Sequence, residues 1–262
     1  MTSPSPTSGK AGPAALVTGA ARRLGRAIAL ALAEDGFDLA IHHNRSADEA
    51  AALAADIQAM GRRTVILRAD LAKPERMASL VEEAHATLGP LSLLVNNASV
   101  LAKDSLSTMT LRSWRTITDV NLTSQIVLMQ AFASQPDLPA HASIINMLDQ
   151  QMSAPSPRFF SYAVAKIGLE GATRLAAFEL APRIRVNGIA PGLVLRSGAQ
   201  TDETYRDVQG RMPLGEGLGS EDIVRAVRYL LASPHVTGEV MIVDSGQRLI
   251  GPGNTRFLRA GE

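Results

Sequence analysis

The chain has 262 residues, 46% of them hydrophobic and 19% charged, which supplies a sizeable core and excludes a disordered chain. Lys and Arg number 26 against 25 Asp and Glu, a formal charge of +1, so no global field invites nucleic acid or an acidic membrane surface. There is no cysteine, which excludes a disulfide framework, thiolate zinc sites and a cysteine nucleophile.

The opening MTSPSPTSGKAG has no apolar run of signal-peptide type and reads as a disordered leader over residues 1–12. The longest apolar stretch, Ala27 to Ala33, stops at Glu34 and Asp35, too short to span a bilayer. A soluble, cytoplasmic protein is expected. From Pro13 onward, β-branched runs alternate with Ala/Leu-rich segments. Ala14–Val17, Leu39–His42, Thr64–Leu67, Leu93–Val95, Ser143–Asn146, Val186–Ala190 and Val240–Val243 read as strands buried on both faces. Leu24, Ile28 and Leu32 repeat at helical period with a stop at Gly36. Tyr162, Lys166, Leu169, Thr173 and Ala176 form a second helical run that Pro182 ends. This alternation predicts an α/β fold: one Rossmann-type, doubly wound parallel sheet of about seven strands over 13–262, with helices on both faces. The polar segment 195–219, weakly helical around Thr204–Arg211, has the length and composition of a substrate lid.

The first strand leads into Thr18-Gly19-Ala20-Ala21-Arg22-Arg23-Leu24-Gly25 and then a helix. Small residues let the backbone approach a pyrophosphate, and the helix start supplies free N–H groups and a positive dipole end. NAD-binding sheets carry an acid ~20 residues further on for the ribose hydroxyls. Here that region reads Ile41-His42-His43-Asn44-Arg45-Ser46, without an acid. Arg45 and Ser46, with Arg22, are suited to a 2′-phosphate, so NADP(H) is expected rather than NAD(H). Asp48 and Glu49 fit the first turn of the next helix. His42, His43, His85, His141 and His235 show no ligand spacing, and no metal is expected.

Tyr162 and Lys166 are four apart and share a helix face. A free phenol has a pKa near ~10, and an ammonium one turn away is expected to bring it down. With Asp70-Leu71, Asn96-Asn97-Ala98-Ser99, Asn121, Arg185-Val186-Asn187 and Pro191-Gly192 in order, the chain after residue 12 resembles the short-chain dehydrogenase/reductase family. The resemblance implies that Asp70 and Leu71 frame the adenine and that Asn97, Ala98 and Ser99 line the cofactor groove. By the same resemblance, Pro191, Gly192 and Val194 hold the nicotinamide carboxamide. Tyr162 would donate a proton, Lys166 would bind the nicotinamide ribose, and Asn121 would hold a relay water. Trp114 reads as packing, and Val243-Asp244-Ser245-Gly246 as a sheet edge and subunit contact. A homotetramer is expected from the family.

One departure bears on the substrate. The family's serine belongs thirteen positions before the tyrosine, and Asp149 stands there; Ser153, the nearest hydroxyl, lies four residues late. A carboxylate repels a developing alkoxide but suits an N–H-rich substrate, or donates to a ring nitrogen when protonated. With Arg23-Leu24-Gly25, His43-Asn44-Arg45-Ser46 and Asn97-Ala98-Ser99, the chain looks like the pteridine-reductase branch, which includes the dihydromonapterin reductases. That implies NADPH-dependent reduction of a C=N bond in a small pterin-type substrate of the dihydromonapterin, dihydrobiopterin or dihydrofolate class, with a place in folate metabolism. Arg23, Ser99, Leu101, Asp149 and Tyr162 would meet the substrate. Where relatives often have an aromatic after Asn-Ala-Ser, this chain has Val100 and Leu101, leaving Phe159, Phe160 or Tyr205 to clamp a ring. The alternative is an NADPH-dependent carbonyl reductase for a ketone or 3-oxoacyl substrate. A non-catalytic dinucleotide sensor has no need of Asn121, Tyr162 and Lys166 together.

Overall fold

The computed structural model describes residues 12–153, 155–194, 196, 201–215 and 217–250. The expected leader therefore lies, apart from Gly12, outside the described residues, as do positions 195, 197–200 and 216 of the expected lid. Seven strands, β1 (Ala14–Val17), β2 (Asp38–His43), β3 (Thr64–Arg68), β4 (Leu91–Asn96), β5 (Ala142–Met147), β6 (Ile184–Pro191) and β7 (Val240–Val243), form one parallel sheet in the order 3-2-1-4-5-6-7. This is the expected Rossmann-type sheet, and all seven strands stand where their apolar runs predict. Their ends run further where a polar residue breaks the pattern. Asp38 opens β2 because Arg63 neutralises it at 2.8 Å, and Ser92 sits inside β4 because its hydroxyl donates to the Ala14 carbonyl at 3.2 Å.

Alternate strand residues feed opposite cores. Ala15, Val17, Leu39, Ile41 and Val95 pack against α1 (Arg23–Glu34), α2 (Ala47–Ala59) and α8 (Ser220–Ala232). Leu16, Ala40, Leu94 and Ile144 pack on the other face against α3 (Met77–Leu88), α5 (Ser124–Ala133) and α6 (Phe160–Leu180). Burying both faces excludes water from the strands, which is why their sequences read as continuous apolar runs. Between the layers, α4 (Leu111–Thr118) passes into α5 through a π-helical turn, Asp119–Thr123, while α7 (Asp202–Gly210) lies where weak helical character was expected. Among the described residues, no helix is long and apolar enough to cross a membrane.

The strand order reverses between β1, which leads outward to β2, and β4, which leads the other way. At that switch point the two connections diverge and open a crevice at the strand carboxyl ends. Polar cross-links fix its walls. Thr18 Oγ1 accepts from the Asn97 and Ala98 backbone N–H groups at 2.8 and 2.9 Å, and Asn97 Nδ2 donates to the Thr18 carbonyl at 2.8 Å. His42, 1% exposed, accepts from Gly19 N–H at Nδ1 (3.0 Å) and meets the Ala69 carbonyl at Nε2 (3.1 Å). Accepting at Nδ1 requires the neutral ring with its proton on Nε2.

Burial holds the His42 pKa down at about 4, against 6.5 for a free imidazole. Above pH 6.5 His42 is neutral whether folded or unfolded. As pH falls from 6.5 toward 4, the unfolded chain takes up a proton that the folded chain refuses, so stability falls by about 3 kcal/mol over that window. Urea unfolding of the wild type and His42→Asn between pH 7 and pH 4 checks this: the wild type loses more stability than the variant by roughly that amount.

Candidate active site

A cavity of about 1530 Å³ occupies the crevice. Apart from Tyr162 and Lys166, every residue named from the sequence for the cofactor lines it, from Gly19 and Arg22–Gly25 through His43–Ser46, Asp70, Leu71 and Asn97–Ser99 to Pro191, Gly192 and Val194. The turn from β1 into α1 is shaped for close approach. Gly19 has φ +63°, and a Cβ on Gly25 would lie 2.2 Å from the Gly19 carbonyl oxygen, so neither position admits a side chain without rebuilding the turn. α1 starts with no side-chain cap and no acid in its first turn, which leaves backbone donors and the positive dipole end available to an anion. Arg23 takes a left-handed backbone, φ +54°, costing on the order of 1 kcal/mol. Its guanidinium crosses the cleft to the Arg196 carbonyl at 3.0 Å.

The second-strand end carries the cationic surround read from the sequence. Arg22 contacts Glu49 at 3.4 Å across exposed surface, Arg45 and Ser46 line the cavity, and Asn44 donates to Asp70 at 3.2 Å. At the opposite end, the Gly192 N–H donates to Val243 O at 2.8 Å and the Leu193 N–H to Gln247 Oε1 at 3.1 Å. These bonds lash the Pro191-Gly192 turn to the end of β7. A Cβ on Gly192 would stand 2.8 Å from the Asp244 Cα. The shape of the Pro191-Gly192 turn thus depends on the segment after β7.

Asp149 lines the cavity, and Tyr162 and Lys166 stand behind it. Tyr162 donates to Asp149 Oδ2 at 2.8 Å, and Asp149 Oδ1 accepts from the Gln151 N–H at 2.8 Å. Lys166, 2% exposed, donates to the Met147 carbonyl at 2.6 Å and lies 5.8 Å from the centre of the Tyr162 ring. Burial pushes the Asp149 carboxyl above its usual range, opposed by the Gln151 N–H, Tyr162 and Lys166. Burial lowers the Lys166 ammonium to about 8, with the Asp149 charge acting against it. Tyr162 is driven well above 10, first by burial and then by the neighbouring Asp149. The expectation that Lys166 brings the phenol down is therefore corrected. Burial disfavours the phenolate first, the Asp149 carboxylate facing the hydroxyl adds to it, and the hydrogen bond of the Lys166 ammonium goes to Met147 rather than to the phenol.

Asn121 lies in the π-helical turn, fully buried. Its Nδ2 donates to Val100 O and Ile117 O at 2.8 and 2.9 Å, and its Oδ1 accepts from Ser99 Oγ and Val100 N at 2.7 and 3.2 Å. These four bonds use the whole side-chain amide. The amide positions Ser99 and Val100. Of the ring-clamp residues, Phe159 lines the cavity, Phe160 packs on Trp114 with centroids 6.3 Å apart, and the Tyr205 hydroxyl is tied to Val194 O at 2.6 Å. Leu101 lines the cavity and is 54% exposed, whereas Ser153 is exposed and outside it. Sequence reasoning missed Pro157, Val208 and Met212, which line the cavity. The two from 195–219 were obscured by that segment's polarity.

Residues 19–248 match a family model described as Enoyl-(Acyl carrier protein) reductase. The 3-oxoacyl-[acyl-carrier-protein] reductase FabG of Staphylococcus epidermidis is 32% identical over 237 residues, covering 88% of this chain and 97% of that protein. Among solved structures, the FolM alternative dihydrofolate reductase 1 of Brucella canis, complexed with NADP, is 38% identical with a TM-score of 0.86, covering 90% of this chain and 94% of that one. Its counterpart from Brucella suis, also in complex with NADP, is 37% identical with a TM-score of 0.86, covering 90% and 95%.

Replacing Asp149 by Asn removes the charge that opposes ionisation of Tyr162 and supports the Lys166 ammonium. Both pKa values then fall. Titration of tyrosinate absorbance, with Tyr162→Phe as the blank, should show one of the three tyrosines ionising at lower pH in Asp149→Asn than in the wild type.

Proposed function

The chain belongs to the short-chain dehydrogenase/reductase family, an oxidoreductase family, and on that premise we propose that it is an NADPH-dependent reductase of a C=N bond in a pterin-type substrate. One observation carries the reading: the buried Asp149 carboxyl, displaced toward protonation, accepts the Tyr162 hydroxyl proton at 2.8 Å. The likeness to the two FolM alternative dihydrofolate reductases, each solved with NADP, supports it.

The residues fit the dinucleotide. The Gly19–Gly25 turn and the start of α1 would hold the pyrophosphate, and Arg22, Arg45 and Ser46 the 2′-phosphate. Asp70 and Leu71 would frame the adenine, Lys166 would reach the nicotinamide ribose, and Pro191, Gly192 and Val194 would take the carboxamide. When bound, the cofactor supplies the hydride. The chain's own work is with the proton. A carboxyl displaced upward by burial holds a proton closer to neutral pH than a free one, and Asp149 lines the cavity with the Tyr162 hydroxyl hydrogen-bonded to it. Reduction of C=N leaves a nitrogen that needs this proton, whereas an ionised Asp149 beside an alkoxide would repel it. Ser99, held by Asn121, and Arg23 offer polar contacts at the cavity wall, with Leu101 and Phe159 for the ring.

The FabG relative supports a second reading, reduction of a 3-oxoacyl carbonyl. The family resemblance also implies a cytoplasmic homotetramer. In its support, α6 presents Val164, Ile167, Leu175 and Phe178 along one exposed face, Phe178 at 89%, an apolar stripe of the kind that marks self-association.

NADPH oxidation by the purified protein with dihydromonapterin, dihydrobiopterin, dihydrofolate, small ketones and a 3-oxoacyl thioester tests the proposal. Turnover of a dihydropterin is expected, falling by about 100-fold or more in Tyr162→Phe. Turnover of the ketones or thioester alone overturns it in favour of the second reading.

A further inference from the structure

His43 closes β2 where dinucleotide-binding sheets place the acid for the ribose hydroxyls. It is 6% exposed yet lines the cavity. Its Nδ1 is buried without a hydrogen-bond partner, and no hydrogen bond forms at the other ring nitrogen among the described residues. Its neighbour His42 differs, since both its nitrogens are engaged within the protein. An enclosed imidazole without internal hydrogen-bond partners, on the same cavity wall as Arg22, Arg45 and Ser46, is arranged for a ligand rather than for packing.

We propose that His43 is a proton-linked reader of the cofactor's 2′-phosphate, so that NADPH binds with uptake of a proton from solvent onto the His43 imidazole and NADH binds without it. The inference rests on the cofactor reading above. The surrounding charges fix the sense of the linkage. On β3, Arg68 pairs in register with His43 and repels its protonated form. Glu49 on α2 favours protonation but is shared with Arg22. His42, on the same strand, is neutral at physiological pH. Arg45 in the turn before α2 adds a further cation, and Asp70 after β3 is engaged by Asn44 and the Ala72 N–H. Burial and Arg68 together hold His43 below its usual value of 6.5, so the empty site is neutral near pH 7. A phosphate dianion brought among these groups reverses the balance, because an opposite charge within a few ångströms favours the imidazolium. A protonated ring also donates from both nitrogens. An acid at this position would repel the phosphate, whereas a titrating ring responds to it.

The experiment is calorimetric titration of the full chain with NADPH and with NADH in two buffers of different ionisation enthalpy. It runs between pH 7 and 8.5, where the 2′-phosphate, whose second pKa is about 6, is already dianionic. The wild type is expected to take up more protons with NADPH than with NADH, the NADPH dissociation constant rising with pH by up to about tenfold per unit more steeply than that of NADH. Any contribution of Lys166 at the nicotinamide ribose is common to both cofactors and cancels in the difference. His43→Gln is expected to show equal uptake and equal pH slopes for the two cofactors. His43→Arg, permanently charged, should bind NADPH tightly with the same slope as NADH, and NADH binding shows that each variant is folded. An excess of uptake with NADPH over NADH that persists in His43→Gln, or equal uptake with the two cofactors in the wild type, overturns the linkage alone. Failure of the wild type to bind NADPH while binding NADH overturns the cofactor reading and the linkage with it.

Discussion

The arrangement of the candidate site, and the function proposed for it, turn on one hydrogen bond, from the Tyr162 hydroxyl to Asp149. Asp149 sits at the carboxyl end of β5, just past Met147, and Tyr162 sits in the first turn of α6. The bond exists only because a central strand and a long helix packed on it are held in fixed register. Lys166, one turn further along α6, is anchored to the Met147 carbonyl of the same strand, so strand and helix are stitched at two adjacent points. Burial acts first on each group here, and their mutual charges modify it. The carboxyl is pushed toward protonation, the phenol away from ionisation, and the ammonium toward neutrality. A proton within such a set is shared rather than owned, which suits an active site that must deliver one.

The frame that holds this corner is built from buried polar bonds laid across an apolar sheet. Asn96 on β4 donates to Asn146 on β5 at 2.9 Å, and Asn146 donates onward to Thr173 on α6 at 2.9 Å. These links tie β4 and β5 to α6, the helix that carries Tyr162 and Lys166. Thr18, Asn97 and His42 do the same for the turn from β1 into α1. Each bond is worth only about 1 kcal/mol net, but leaving any of these groups unpaired in the interior costs more. The polar set therefore specifies register, while the apolar layers on both faces supply the bulk of the stability.

Much of this was legible from residues alone. The seven strands showed because parallel strands buried on both faces cannot hide their apolar runs, and the cofactor groove showed because Gly19 and Gly25 are needed by steric contact rather than by habit. Asp149 stood out by its spacing from Tyr162. Other features were hidden for physical reasons. Strand ends such as Asp38 and Ser92 look polar until their partners, Arg63 and Ala14, are brought alongside. The roles of His42 and Thr18 depend on neighbours more than 20 residues away, which no local pattern reports. The upward direction of the Tyr162 shift is not legible from spacing, because spacing on a helix reveals the ammonium but neither the burial of the phenol nor the carboxyl that faces it. Asn121 was expected to hold water, and only its four partners show that its side chain is fully spent on positioning.

The central claim is that the Asp149 contact with Tyr162 sets the preference for C=N over C=O. Its most direct measurement is the ratio of kcat/KM for a dihydropterin to that for a 3-oxoacyl thioester, in the wild type and in Asp149→Ser. The account predicts that the substitution lowers dihydropterin reduction by about 100-fold or more while carbonyl reduction holds or rises, because a hydroxyl can donate to an alkoxide that a carboxylate repels. An unchanged ratio, with both activities falling together, would mean that Asp149 supports the fold of the site without choosing its substrate.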